Sequence, residues 1–519
     1  MRRLLVILTL CALTPSVFAG GHITHRMREL PLARTAQGNR FVRYNCLSDA
    51  VIDSSSTRAS SSRRLLPTPH TDWKAERIYR VPVILVEFSD RQFSMEDPQE
   101  FYDSLFNERG FNLGHGPGCV ADYFREQSGG LLNMEFDVVG PICIDDSCKV
   151  PSSDRSGKQI FREVAIKANS ILNYADYDWH RQKSVTQVVF VYAGYGGNDG
   201  GSKAEGCIWP NTGSFSAFTA DGVSVRNFTA SAEMWSYNHL CGIGTICHEF
   251  SHSLGLPDLY PTAGDEFSVF DEWDLMDGGC YSDDGWCPPN YSVHEKELLG
   301  WFSSKKLTVL QTISDLPPLA LGGEAYRITN DAHTNEYYLL ENRQQQGWDH
   351  FLPGHGLTII HVDYDKSAWM GNTVNRNPEH HRLDFFHACG HDYEYYDTLY
   401  GRGHYVDGRN IALSGSAYPF VSDTLVVDAL TDTSVPVAAT LFYSNGKGSR
   451  FMGKPITQIQ EKDGLISFRF SDSPDAITTI SSDAVPVAIY DLQGHLITNP
   501  KRGIYIVRYS DGTTKKVTH

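Results

Sequence analysis

The sequence predicts a mixed α/β (α+β) domain followed by β-rich domains, and three stretches of the chain carry this prediction. An apolar run at 81–88 indicates a strand that is buried on both faces. Residues 157–172 have the apolar spacing of an amphipathic helix. From about residue 307 the helical signal fades, and alternating segments such as 357–363 indicate β-structure. This order predicts a twisted sheet backed by helices in the first half of the chain.

Further elements of the first domain follow in chain order. Helices are predicted at 98–106 and 120–127, a strand at 131–139, and a second buried strand at 185–192. A glycine-rich loop at 194–206 follows that strand.

The first residues are predicted to direct export rather than to fold. Two arginines precede an apolar run at 4–13 that is too short to span a bilayer, and Val17 and Ala19 suit cleavage after Ala19. We therefore predict a signal peptide at 1–19, with a transmembrane anchor as the alternative. No later stretch offers ~18 uninterrupted apolar residues, so we expect an exported protein with no transmembrane segment.

Residues 20–72 differ in charge from the rest of the chain. Between residues 20 and 70, eight arginines stand against three acidic residues, whereas the whole chain of 519 residues has a net charge of −17. Arg63 and Arg64 follow two serine triplets and form a candidate processing site. This pattern predicts a pro-segment held partly by charge, with a disordered linker as the alternative. The acidity of the chain argues against nucleic acid as a partner.

The cysteines are interpreted through this predicted export. The chain has eleven cysteines, and those beyond the signal peptide can pair in an oxidising compartment. Cys143 and Cys148, like Cys280 and Cys287, are close enough in sequence to form small loops. No C-x-x-C pair exists, which argues against a zinc ribbon, and the connectivity does not follow from the sequence.

One motif dominates the chemistry, the H-E-x-x-H stretch that runs from His248 to His252. On a helix these two histidines lie on the same face, where their ring nitrogens can bind one Zn²⁺. Glu249 would lie beside the metal, take a proton from the zinc-bound water and pass it to the leaving amine. This arrangement is typical of zinc peptidases.

The residues after this motif strengthen the interpretation. Gly255 permits a sharp turn out of the helix, which would bring Asp258 toward the metal as a third ligand. The pattern H-E-x-x-H-x-x-G-x-x-D follows the metzincin arrangement, in which the third ligand is usually histidine. Met276 fits the methionine turn of the same enzymes. The first domain is therefore predicted to be a metzincin-like zinc protease domain.

The segments around this motif resemble the immune inhibitor A family of secreted zinc metalloendopeptidases. The resemblance covers about residues 80–440 and implies that His248 and His252 bind zinc and that Glu249 is the general base. Asp258 holds the metzincin position of the third ligand, and Asp271, just before the methionine turn, competes with it. The segments that carry the resemblance are 121–128, 242–260, 273–279, 339–348 and 353–364.

The sequence leaves open whether the protein binds structural calcium. Relatives often carry a loop rich in Asp, Asn and Gly before the strand predicted at 185–192. Residues 174–180 occupy that place here and make a poor calcium loop.

The C-terminal stretch resembles a second kind of domain. Residues 489–495 and 502–508 look like a type IX secretion sorting domain, which implies secretion machinery as a partner and passage across an outer membrane. A plain β accessory domain is the alternative.

Together these features predict a secreted zinc-dependent endopeptidase that hydrolyses peptide bonds in proteins and is made as a zymogen. One alternative is an adhesion or binding protein that retains a catalytically weak metalloprotease core, and another is a zinc hydrolase that acts on something other than peptides. The predicted boundaries are 1–19 for the signal peptide, 20–72 for the pro-segment, 73–305 for the catalytic domain, 306–475 for the β-rich domain and 476–519 for the sorting-like domain.

Overall fold

The fold is described from a computed structural model of the chain. It combines sheets with a few helices, so the predicted mixed α/β class with β-rich regions after the first domain is confirmed. The structure describes residues 65–199, 201–262, 268–391, 413–473, 485–491, 496–497, 504–510 and 514–518.

Contacts divide these residues into two units, and the first comprises 73–254 and 280–288. Its centre is a five-stranded sheet in the order β2-β1-β3-β5-β4, in which β4 alone is antiparallel to its neighbour. The strands are β1 Ile78–Phe88, β2 Asn133–Ile144, β3 Val188–Tyr195, β4 Asn211–Ala220 and β5 Val223–Met234. The helices are α1 Pro98–Asn107, α2 Val120–Gln127, α3 Lys158–Ala168 and α4 Gly244–Leu254.

Local sequence explains the predicted elements of this unit. Helix α1 begins after Asp97, whose carboxylate accepts the Glu100 amide, and Pro98 suits the first helical turn. Helix α3 buries one face, on which Phe161 stacks on Phe190 of β3 with ring centroids 4.7 Å apart. It ends at Ala168, four residues before the predicted end at 172, and the Ser170 hydroxyl caps the Lys167 carbonyl there.

Strands β4 and β5 were not predicted. Many of their 22 residues have small polar side chains, and the pairing of the two strands shifts register between Ser214 and Phe218. They form because β5 pairs with β3, which is buried except at Tyr195, and β4 pairs with β5. This pairing brings two threonines, Thr212 and Thr229, beneath helix α4, as described below.

The second unit comprises 65–72 and the described residues of 255–279 and from 289 onward. Its main sheet has the order β11-β10-β9-β8-β6, and smaller sheets are formed by β14-β15-β7, β12-β13 and β16-β17-β18. The strands are β6 Lys305–Lys306, β7 Gln311–Leu316, β8 Tyr326–Thr329, β9 Glu336–Arg343, β10 Gly356–Asp363, β11 Leu383–Phe385, β12 Phe420–Val421, β13 Val426–Val427, β14 Ile456–Lys462, β15 Leu465–Phe470, β16 Pro486–Tyr490, β17 Ile504–Tyr509 and β18 Thr514–Thr518. The helices are α5 Val293–Leu298 and α6 Lys366–Met370.

Strands β9 and β10 form the buried centre of this second unit. All eight residues of each strand are buried, and the two strands pair antiparallel over their whole length. Arg343 at the end of β9 is itself buried and makes a two-pronged contact with Asp349, at 2.9 and 2.7 Å. The charge of the arginine is thereby compensated inside the protein.

No helix among the described residues has the length and apolar character needed to cross a membrane. The predicted signal peptide at 1–19 and most of the predicted pro-segment lie outside the described residues.

Candidate metal centre

Helix α4 carries the H-E-x-x-H motif and is almost entirely buried. His248, Glu249 and His252 are 0 % exposed. Phe250, between them, packs against Phe124 with ring centroids 5.4 Å apart. The same ring also lies near Phe136 and Trp179, so one face of the helix is fixed in the aromatic core of the first unit.

The two histidine rings lie close together on this helix, with centroids 5.0 Å apart and planes nearly perpendicular. That closeness is the expected result of the i, i+4 spacing. Helix α4 thus places His248 and His252 on one face, as their spacing in the sequence predicted.

Strands β4 and β5 hold the helix at Glu249. The Thr212 hydroxyl of β4 donates to the Glu249 carbonyl, and the Thr229 hydroxyl of β5 approaches the same oxygen at 3.4 Å. The two hydroxyls lie 3.2 Å apart and Thr229 also accepts from Gln187. The backbone of the motif is thus fixed to the sheet at the residue predicted to be the general base.

Gly255 ends the helix, as the sequence predicted. Its φ of +101° lies in the region that favours glycine. Space is also restricted here, because a methyl group on Gly255 would lie 2.6 Å from the Pro67 carbonyl oxygen. The segment 65–72 therefore packs directly against this turn, and its Leu66 amide donates to the Met370 carbonyl at 2.8 Å.

Beyond the turn, the chain returns Asp258 to the two histidines. One ligand atom each from His248, His252 and Asp258 lie within 4.8 Å of one another, and all three residues are fully buried. Two imidazoles and a carboxylate are a donor set that zinc accepts in proteins. Among the residues that the structure describes, these three form a group of His, Cys, Asp or Glu side chains close enough to hold a metal ion.

Asn372 orients the Asp258 carboxylate. The Asn372 side-chain amide donates to Asp258 Oδ2 at 2.5 Å, and its Oδ1 accepts the Asp258 backbone amide at 2.7 Å. Asn372 is buried, and its carbonyl accepts from the Thr262 hydroxyl at 3.1 Å. Sequence reasoning missed this residue, because 114 positions separate it from Asp258 and no local pattern marks it.

Asp271, the competing candidate for the third ligand, lies between Asp258 and the turn at Met276 and has other surroundings. It begins a short 3-10 helix, Asp271–Trp273, with a positive φ of 47°. A methyl group on Gly278 would lie 2.2 Å from Asp271 Oδ1, so this carboxylate packs against the Gly278 backbone. Asp271 is not part of the group formed by His248, His252 and Asp258.

The turn at Met276 is built by two aspartates. Asp274 accepts the Met276 amide at 2.8 Å, and burial raises the pKa of Asp274 to about 6. Asp277 accepts the amides of Val269 and Phe270 and thereby closes the loop that leads into the turn. Met276 is fully buried, and its carbonyl accepts the Leu259 amide at 2.9 Å, next to Asp258.

The segment that holds this site matches a known family. Residues 182–301 match the family described as immune inhibitor A peptidase M6, catalytic domain. The predicted resemblance to the immune inhibitor A peptidases is confirmed. The same match supports the predicted enzyme class, a zinc metallopeptidase, and the matched M6 segment contains every residue of the candidate site except Asn372.

Two kinds of curated relatives are similar to parts of the chain. Immune inhibitor A of Bacillus thuringiensis subsp. alesti is 24% identical over 271 residues, which are 42% of this chain and 39% of the relative. Pre-pro-metalloprotease PrtV of Vibrio cholerae serotype O1 (strain M66-2) is 20% identical over 289 residues, which are 47% of this chain and 30% of the relative. The matched regions thus span less than half the length of either relative.

Proposed function

We propose that the chain is a zinc-dependent endopeptidase that hydrolyses peptide bonds in proteins. His248, His252 and Asp258 would hold the zinc, and Glu249 would be the general base. The observation that carries this proposal is the buried group of two histidines and one carboxylate next to Glu249 on helix α4. The names of the relatives, which include a metalloprotease, support the same reaction class.

The residues divide the chemistry between them. When bound, zinc supplies a Lewis acid that polarises the scissile carbonyl and acidifies a water molecule. Glu249 accepts the proton of the attacking water at its carboxylate and returns it to the leaving amine. Asn372 keeps the Asp258 carboxylate in place, and the threonines under Glu249 keep the helix backbone in place.

Export and zymogen synthesis belong to the same proposal. The predicted signal peptide at 1–19, the basic leader and the Arg63-Arg64 site support an exported precursor. The similar Vibrio cholerae protein is named a pre-pro-metalloprotease, which is in keeping with such a precursor. After a cut behind Arg64, residues 65–72 would form the N-terminus of the enzyme, where they pack against Gly255.

We further propose that the stretch 476–519 addresses the protein to secretion machinery at the outer membrane. The described part of this stretch contains three antiparallel strands, β16 to β18. A small β-domain of this kind suits a sorting role, and the accessory-domain alternative remains the competing interpretation.

The stretch 174–180 has few carboxylate oxygens available to bind calcium. Asp176 pairs with Arg80 at 3.3 Å, and Asp178 accepts the amides of Gln182 and Lys183. These carboxylates already have partners, so a calcium requirement would have to come from another part of the chain.

The first test is the exchange of Glu249. In Glu249→Gln we expect zinc content and fold to persist while casein hydrolysis falls by about 10²–10⁴-fold, because the base is lost but the metal ligands remain. Zinc per chain is measured by mass spectrometry and hydrolysis with labelled casein. Glu163→Gln, on an exposed position of α3, is the matched control and should behave like the unaltered protein.

The outcome separates the proposal from the adhesion alternative. If the protein with its leader removed at Arg64 binds zinc and yet cleaves neither casein nor a peptide library, the weak protease core of that alternative becomes the better account. If Glu249→Gln cleaves casein at the original rate, the assignment of the base is wrong.

A further inference from the structure

Two loops of the first unit run side by side and bring two cysteines together. Lys149, after β2, faces Cys207, at the end of the glycine-rich loop, in an antiparallel bridge. The Val150 amide donates to the Gly206 carbonyl at 2.7 Å. Residues 148 and 207, which are far apart in sequence, are therefore neighbours on adjacent segments.

The two thiols lie close enough to change each other's pKa. The Cys207 thiol lowers the pKa of Cys148 to about 7, and Arg91 acts in the same direction. The Cys148 thiol in turn raises the pKa of Cys207, which is buried and has its Sγ 3.6 Å from the Lys203 carbonyl. Cys148 is only half-buried and is therefore the thiol that solvent-borne reagents can reach.

Both sulfur-bearing residues are held by their surroundings. The Cys148 amide donates to Asp90 Oδ1 at 2.8 Å, and the Ser147 hydroxyl donates to Asp90 Oδ2 at 2.6 Å. On the other segment, the Ile208 carbonyl accepts from the Tyr192 hydroxyl and from the Gly197 amide, both at 2.7 Å. The approach of the two segments that carry Cys148 and Cys207 is thus fixed by the fold.

We propose that Cys148 and Cys207 are a disulfide site that fastens the glycine-rich loop at 194–206 to the segment after β2. Cys148 and Cys207 are both free thiols in the structure. The pairing differs from the small loop expected from sequence proximity, in which Cys148 would join Cys143. It holds whether or not the chain hydrolyses peptides.

The oxidant is a disulfide, such as oxidised glutathione or a thiol–disulfide oxidoreductase. The Cys148 thiolate attacks one sulfur of that disulfide, forms a mixed disulfide and releases one thiol. The Cys207 thiol then loses its proton and attacks the Cys148 sulfur, which forms the internal bond and releases the second thiol. Two protein thiols are oxidised, and one external disulfide is reduced to two thiols.

The consequence concerns the glycine-rich loop. A loop with this many glycines has much conformational freedom to lose, and a covalent bond at its end limits that freedom. The oxidised protein should therefore resist unfolding and proteolytic cutting at 194–206 better than the reduced protein.

The test uses the full-length protein, incubated with either dithiothreitol or oxidised glutathione, alkylated and digested without reduction. We expect a linked peptide pair containing Cys148 and Cys207, together with a higher melting temperature in the oxidised sample. Cys148→Ser and Cys207→Ser should each abolish both the linked pair and the rise in melting temperature. Cys143→Ser removes an exposed neighbouring thiol and should preserve both effects.

Three results would overturn the proposal. These are unchanged thiols at 148 and 207 under excess oxidised glutathione, a Cys143–Cys148 link, or a glutathione adduct on Cys148 that never proceeds to Cys207. If Cys207→Ser fails to fold, the linked peptide in the unaltered protein and its loss in Cys148→Ser still decide the question.

Discussion

Asp258 is fixed from two sides, and this matters for how well a metal is held. Its amide and its carboxylate both bond to the side chain of Asn372, so backbone and side chain of the aspartate are positioned by the same residue. A ligand that is already in place gives up less rotamer freedom when it binds a metal ion.

The third ligand can be identified by removing each candidate in turn. We expect Asp258→Ala to lose bound zinc, because its carboxylate belongs to the group with His248 and His252. Asp271→Ala should keep zinc and lose only stability, because its carboxylate packs against Gly278 instead. Zinc per chain, measured by mass spectrometry after gel filtration, tests this. Stoichiometric zinc in Asp258→Ala together with loss in Asp271→Ala would reverse the assignment.

Asn372 gives a second prediction for the same ligand. Asn372→Ala removes both hydrogen bonds to Asp258, and the loss of such a supporting partner typically lowers metal affinity by about 10–100-fold. Competition with a chromogenic chelator measures the zinc dissociation constant. Asn377→Ala, an exposed asparagine a few residues on, is the control and should keep the original affinity. Equal affinity in the two variants would show that Asn372 supports only the fold.

For single residues, the sequence predicted the features that depend on short spacings along the chain. The positions of the two histidines and the turn at Gly255 follow from a few neighbouring residues. Asn372, Thr212 and Thr229 touch the same site from distant parts of the chain, so only the folded chain reveals them.

Among the elements, helix α5 contains a buried histidine with a large consequence for acid stability. His294 is 1% exposed, and its Nε2 accepts the Trp369 indole N–H at 3.1 Å. Burial, with a smaller contribution from Arg327, lowers the pKa of His294 to about 3. The folded protein therefore keeps this imidazole neutral under mildly acidic conditions.

The sign of the pH effect follows from the lowered pKa. Between about pH 6.5, the ordinary pKa of histidine, and pH 3, the unfolded chain binds a proton that the folded chain does not. Stability should thus fall as the pH falls, by about 2 kcal/mol from this group between pH 7 and pH 5. His294→Gln should show a smaller loss of unfolding free energy over this range, as measured by urea denaturation at both pH values.

The control for this experiment is the exposed His333, which stacks on Tyr443. His333→Gln should retain the acid sensitivity of the unaltered protein. An identical pH dependence in His294→Gln would mean that other groups dominate the response to acid.

Elements with strong local signals were predicted well, and those formed by distant pairing were not. Helix α2 has the predicted bounds, 120–127, because its apolar face lies within the helix and its capping residues, Cys119 and Asp122, lie at its start. Strands β4 and β5 carry many small polar residues and owe their formation to β3, a partner that their own sequence does not specify.

At the scale of the whole molecule, the stretch 476–519 is predicted to be separable from catalysis. Strands β16, β17 and β18 pair with one another in a sheet of their own. Deleting 476–519 should leave casein hydrolysis by the purified protein unchanged but keep the protein inside the producing cell. Activity in the culture medium and in the cell fraction is compared with that of the full chain. Normal release of the truncated protein would favour the accessory-domain alternative.

The position of a maturation cut would decide whether the segment 65–72 and its contacts stay in the protein. A cut after Arg64 would leave the Leu66 amide on the Met370 carbonyl and Pro67 against the turn at Gly255. A cut after Asp72 would remove both contacts and leave the turn that leads to Asp258 without its backing. We therefore expect chains that begin at residue 65 and at residue 73 to differ in how firmly the turn before Asp258 is held, so that the protease that trims the N-terminus would set the stability of the proposed metal site.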